Sequence, residues 1–175
     1  MKLLIIAIGG FTGSGKNTVG EFLAKELNFN LVCPTMKDLA KKEGISLIEF
    51  QKRAEKDHNI DIKFDQLLKD EASKGNCVVT TWLGPWMLQA DLRIFLNAPP
   101  IVRAERIMPR DNLTLEQALK HIKERDAQNK RRYKKIYKID IEDNSIFDLV
   151  INSQKLNKDQ VNRIVLHFSK MMIKR

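Results

Sequence analysis

The chain has 175 residues, 43% of them hydrophobic, which suits one domain with a buried core and is too apolar for a disordered chain. Its 31 Lys and Arg against 22 Asp and Glu leave a formal net charge of +9, so the expected partners are anions: nucleotides, nucleic acid or a membrane surface. The apolar start Leu3–Ile8 is too short to cross a bilayer and has no secretory cleavage pattern, and two cysteines make neither a disulfide framework nor a closed metal site. Cys33 and Cys77 read as small buried hydrophobes in a cytoplasmic protein.

In chain order, short apolar runs alternate with helical periods. The runs at Leu3–Ile8, Phe29–Val32, Cys77–Thr81, Leu92–Leu96 and Phe147–Ile151 are almost continuously apolar, as strands covered on both faces would be. Ser46–Glu49 and Thr114–Gln117 fit the capping box, in which the first and fourth side chains satisfy free amides at a helix start. A last helix from about Asn157 places Val161, Ile164, Val165, Phe168 and Met172 on one stripe. Strands alternating with helices predict right-handed parallel crossovers, hence a three-layer α/β/α sandwich around a mostly parallel five-stranded sheet. No repeat or linker divides residues 1–175, which read as one domain.

Directly after the first strand comes Gly10-Phe11-Thr12-Gly13-Ser14-Gly15-Lys16, followed by a helix through Asn17 and Thr18. This is the pattern of a P-loop: glycines let the backbone wrap a phosphate with its N–H groups inward, and the helix N-terminus adds partial positive charge. Lys16 then reaches the β- and γ-phosphates of a nucleoside triphosphate. The plainer alternative is a glycine-rich turn without a ligand; the strand before and the helix after favour the phosphate site. The residue after the lysine, usually Ser or Thr with its hydroxyl on Mg²⁺, is here Asn17. An amide oxygen also suits a hard cation, so Asn17 is the metal candidate. Thr18 points about 100° around the helix from it.

Two further segments carry arginines. Arg103, Arg106 and Arg110 share one helical face, either as phosphate-binding guanidiniums or as a solvated basic face. On the helix from Thr114, the apolar stripe Leu115, Ala118, Ile122 continues at the same spacing into Arg125, Asn129 and Arg132. Charge on a core-facing stripe is costly unless it meets an anion, so this end of the helix is expected to line a phosphate pocket.

With these segments in place the sequence resembles the nucleoside monophosphate kinases, most closely the archaeal-type cytidylate kinases. The likeness rests on the loop Gly10–Lys16 and the segments Gly44–Leu47, Asn59–Asp61, Ala90–Arg93, Val102–Ile107, Arg132–Tyr133, Tyr137–Asp140 and Ser145–Asn152. It implies a P-loop kinase fold with a monophosphate-binding region at about 34–75 and a lid at about 103–135. The implied activity is ATP- and Mg²⁺-dependent phosphorylation of CMP or dCMP by a monomer, with no specific nucleic-acid or membrane partner. By position, Gly10, Gly13, Ser14, Gly15, Lys16, Asn17 and Thr18 would bind the triphosphate, with Asn152 and Ser153 near the adenine end. Lys16, Arg106, Arg110 and Arg125 would act on the transferring group, and Lys37, Trp82, Asn129 and Arg132 on the acceptor.

The chain departs from the resemblance in places that touch substrate choice. Thr80, Thr81 and Trp82 stand where an acid and then Gly-Arg are usual, Lys37 replaces an arginine, and Asn129 replaces an acid facing cytosine. Trp82 and Trp86 are candidates for base stacking or for the core. These departures keep two other readings in view: a P-loop kinase with another acceptor (AMP, a nucleoside or another metabolite), and a weakly catalytic ATP-binding switch.

Overall fold

The computed structural model describes residues 3–46, 49–50, 53, 57 and 59–173. Strands β1 (Ile5–Gly10), β2 (Asn30–Val32), β3 (Cys77–Val79), β4 (Leu92–Asn97) and β5 (Leu149–Asn152) form one sheet in the order β2-β3-β1-β4-β5. Every pairing is parallel, with Ile5 opposite Cys77, Ile6 opposite Leu92 and Ile94 opposite Leu149. The helices between them are α1 (Lys16–Leu27), α2 (Met36–Lys42), α3 (Asn59–Ala72), α4 (Gly84–Met87), α5 (Pro100–Asp111), α6 (Leu115–Tyr137) and α7 (Lys158–Ile173). The predicted parallel α/β architecture is therefore present, each strand lying within two or so residues of its expected ends.

The continuous apolar runs hold for the three inner strands, which are buried, but not for the edges: Leu31 on β2 is 42% exposed and Val150 on β5 is 46% exposed. An edge strand has one neighbour fewer and less cover. Ile6, Ile8, Val78, Ile94 and Leu96 pack against Leu23 of α1 and Val161 and Val165 of α7. Val32, Cys77 and Val79 meet Leu68 and Ala72 of α3 in a second cluster.

Helix starts follow the side chains read from the sequence. Thr114 and Gln117 make a complete capping box at α6. The Glu49 N–H donates to Ser46 Oγ at 3.2 Å, while Leu47 and Ile48 between them lie outside the described residues. Asn157 and Gln160 cap α7 reciprocally, each backbone N–H donating to the other's side-chain oxygen at 2.9 Å. The expected α7 stripe needs one correction. Ile164 is 40% exposed, and Asn162 and Ser169 are buried instead. At 100° per residue, Ile164 stands a quarter-turn away from Val165, which sits at the centre of the buried arc. Cys77 is buried as expected, whereas Cys33 is only half-buried because it follows the edge strand β2 as the chain leaves the sheet.

The two sides of β1 receive different crossovers: the chain runs from β1 to β2 and β3 on one side and to β4 and β5 on the other. Ligand crevices of open parallel sheets form at such a switch point, beyond the carboxyl ends of the strands. The Gly10–Lys16 loop leaves β1 at this place. Among the described residues no helix is long and apolar enough to cross a membrane.

Candidate active site

The loop after β1 is held from within by a hydrogen bond from Ser14 N–H to the Phe11 carbonyl at 3.1 Å. Gly13 has φ 77°, and a Cβ there would lie 2.6 Å from the Arg103 carbonyl oxygen, so any side chain would push the loop off α5. Gly15, with φ 90°, is the N-cap of α1 and offers no capping side chain. A Cβ built on Gly15 meets nothing within 4 Å. The first amides of α1 thus open into free space at the positive end of the helix dipole, which is the geometry of an anion site. Gly10, at the end of β1, has a Cβ position 2.4 Å from Ser14 Oγ.

Lys16 is the first residue of α1, and its Nζ stands 5.5 Å from the centroid of the Trp82 ring. Burial lowers its pKa to about 8, and Arg125 and Arg110 push the same way while Cys33 and Asp126 oppose them. With two guanidiniums acting against it, this ammonium group would gain from a further anion, which a polyphosphate supplies. Asn17 is exposed at the start of α1 and Thr18 half-buried.

Helix α5 presents its arginines to the protein itself. Arg103 is buried: its guanidinium donates to the carbonyls of Ala98 (3.0 Å) and Thr12 (2.9 Å) and to Asp126 Oδ2 (2.6 Å), and it lies 5.5 Å from the Phe11 ring centroid. Arg106 donates to the carbonyls of Ser14 (3.3 Å) and Ser153 (2.9 Å) and to Ser153 Oγ (3.1 Å), tying the loop after β5 to the glycine-rich loop. Arg110 lies outside, in a bidentate pair with Asp111 at 2.6 and 2.7 Å. The face is therefore not a solvated one along its length: it runs from buried to exposed as it passes the loop.

On α6 the buried stripe takes a different course from the expected one. Ala118 and Ile122 pack against Ala104 and Ile107 of α5. After Ile122 the helix turns half-buried Asp126, Asn129 and Arg132 and buried Tyr133 inward, while Arg125 is exposed. An acid, Asp126, stands on this face beside the expected arginine, neutralised by Arg103. The Arg132 guanidinium lies 5.2 Å from the Tyr133 ring centroid.

The two tryptophans separate. Trp86, also half-buried, packs edge-on against Phe147 at 5.3 Å, and Phe147 in turn lies 5.0 Å from Phe95. Trp82 is half-buried, 5.9 Å from Phe11 and 6.4 Å from Tyr133, with its ring turned toward Lys16. Ser153 is buried against the Asn97 carbonyl, and exposed Asn152 accepts from Gln154 N–H. Lys37 belongs to α2, and its side chain lies outside the described residues. Phe11, Thr12 and Tyr133 from the quoted motifs also belong to this constellation, as does Asp126, which lies in none of them. The available signal was the i+4 step from Ile122, which leads to Asp126.

Comparison with known proteins agrees with this architecture. Residues 5–155 match the model of the cytidylate kinase-like family. A protein of Methanocaldococcus jannaschii called cytidylate kinase is 41% identical over 169 residues, covering 93% of this chain and 95% of its own. One of the same name from Sulfurisphaera tokodaii is 37% identical over 175 residues, with 97% of both chains covered. Among solved structures, shikimate kinase from Bacteroides thetaiotaomicron superposes with a TM-score of 0.63 at 16% identity, covering 98% of this chain and 99% of its own. Shikimate kinase from Aquifex aeolicus gives 0.59 at 24%, with coverage of 97% and 99%, and both likenesses speak to the fold. With its glycine-rich loop opening onto the N-terminus of α1 and its sequence matched over nearly its whole length, the chain belongs to the cytidylate kinase-like family.

Proposed function

We propose that this chain is a nucleoside monophosphate kinase that moves the γ-phosphoryl group of ATP to CMP or dCMP. The observation that carries the reading is the open N-terminus of α1 at Gly15 with Lys16 beside it, in a chain whose similar relatives are called cytidylate kinase. The amides after Gly13 would cradle the β-phosphate, Lys16 would follow the charge of the group in transit, and Arg125 would neutralise its equatorial oxygens. Asn152 and Ser153, beyond β5, would border the adenine. Lys37, Trp82, Asn129 and Arg132 would face the acceptor, within a monophosphate-binding region at about 34–75 and a lid at about 103–135. A phosphate oxygen of the acceptor attacks the γ-phosphorus in line, one P–O bond forms, and the bond to ADP breaks with no covalent enzyme intermediate. Closing the lid excludes water and so limits ATP hydrolysis.

Mg²⁺ prefers oxygen ligands and keeps several waters when it is shared with nucleotide phosphates. The donors at hand fit that demand. Asn17 offers an exposed amide oxygen at the start of α1, and Thr80 Oγ1, just past the end of β3, is buried with no hydrogen-bond partner. No cluster of three or more His, Cys, Asp and Glu occurs among the described residues, so the metal would depend on phosphate and water for most of its shell. Bound there, it would offset the charge developing between the β- and γ-phosphates. Monomeric action in the cytoplasm belongs to the same proposal.

The test is a panel of nucleoside and deoxynucleoside monophosphates, nucleosides and small metabolites offered with ATP and Mg²⁺. CDP or dCDP should form fastest. Preferential phosphorylation of another acceptor would move the assignment there, and tight ATP binding without any product would favour a nucleotide switch.

A further inference from the structure

Both main-chain polar groups of one residue in the glycine-rich loop are occupied by a single ion pair. Thr12 N–H donates to Asp126 Oδ1 at 3.3 Å, and the Thr12 carbonyl accepts from Arg103 Nη1 at 2.9 Å. The pair closes at 2.6 Å between Arg103 Nη1 and Asp126 Oδ2, with side-chain exposures of 7% and 18%. Asp126 comes from α6, Arg103 from α5, and Thr12 from the loop that leads to Gly15 and Lys16. Arg125 is the residue next to Asp126, and Asn129 and Arg132 follow on the same helix. A shift of α6 along its axis would therefore have to release the Thr12 amide and break the pair with Arg103. Conversely, a loop in another conformation would leave Asp126 Oδ1 without the Thr12 amide and the Arg103 guanidinium with one acceptor fewer, each a lost hydrogen bond in a poorly solvated place.

We infer that Asp126 is a positioning residue that fixes the phosphate-binding loop and the arginines of α6 relative to one another, so that both present their charges to one triphosphate. It does so through Thr12 and Arg103 rather than by touching the nucleotide. The inference rests on the kinase reading only in its triphosphate half, since the acceptor plays no part in it.

The experiment measures ATP binding calorimetrically, without acceptor, alongside thermal melting and amide exchange of the Gly10–Gly15 segment. It compares the wild type with Asp126→Asn and with the double variant Arg103→Met/Asp126→Leu. Removing one member of a buried pair destabilises strongly, whereas replacing both by apolar side chains of similar size generally restores stability. The double variant thus supplies a folded protein in which Thr12 has lost both partners. Its affinity for ATP, measured well below its own melting transition, is expected to fall about tenfold, and exchange in the loop should accelerate. A loss above threefold sustains the assignment. A smaller loss, with affinity returning together with stability, overturns it and makes the pair mere structural glue. A wild type that binds no ATP would instead count against the kinase reading, and a wild type that binds ATP but phosphorylates some other acceptor leaves the coupling to be decided by the same threefold limit.

Discussion

Helices α5 and α6 each carry arginines at helical spacing, and the surroundings of Arg103 and Arg106 on α5 are opposite to those of Arg125 on α6. Arg103 and Arg106 of α5 spend their N–H groups on the carbonyls of Thr12, Ser14, Ala98 and Ser153 and on Asp126. Arg125 of α6 is exposed, close enough to Lys16 to press its pKa down. A guanidinium has five donors in a fixed fork, and what it does is decided by the acceptors within reach. Beside α5 those acceptors are mostly main-chain oxygens. Beside Arg125 the partner still to be met is the anion that two arginines and a lysine have in common. Arg103 and Arg106 build the phosphate site, and Arg125 is proposed to use it.

Lys16 sets the scale for testing that division, because both helices converge on it. Lys16→Ala should lower phosphoryl transfer by about a thousandfold, the size expected when a preorganised charge is removed from a transferring group, with the fold intact by circular dichroism. Arg125→Gln should cost about a hundredfold in kcat and leave the melting temperature within about 2 °C of the wild type, since an exposed side chain contributes little to stability. Arg103→Gln should show the reverse emphasis: breaking a pair this buried costs about 3 kcal/mol and lowers Tm by roughly 6–12 °C in a denaturation scan. Equal melting of the Arg103 and Arg125 variants would dissolve the comparison.

How much of this the sequence discloses can be traced residue by residue. The glycine-rich loop, the strand ends and the Thr114 cap are legible because their causes are local: backbone conformations that favour glycine, apolar runs, and a side chain reaching three residues ahead. The inward turn of Arg103 is not legible, because its acceptor, Thr12, is 91 positions away in the chain. Asp126 escapes for the same reason, since a stripe that ends in polar residues continues with equal periodicity through Arg125 or Asp126 until Arg103 decides between them. Ile164 shows the limit of apolar spacing, which fixes a helix face only to within a quarter-turn.

The thiols provide the smallest effect and follow the same logic of surroundings. Burial pushes Cys77 up to about 11, so it remains a thiol at pH 8, while Cys33 is half-buried where the chain leaves β2. Mass spectrometry after brief maleimide treatment should find Cys33 modified and Cys77 untouched. Equal labelling would mean that the sheet opens more readily than its core packing allows.

The division of labour between Arg103 and Arg125 is most directly tested by a crystal structure with a non-hydrolysable ATP analogue and CMP bound. The account predicts the Arg125 guanidinium within hydrogen-bond distance of phosphate oxygens, while Arg103 remains on the Thr12 carbonyl and Asp126. A structure in which Arg103 leaves Asp126 to bind phosphate, or in which Arg125 still points into solvent with both nucleotides in place, would contradict it.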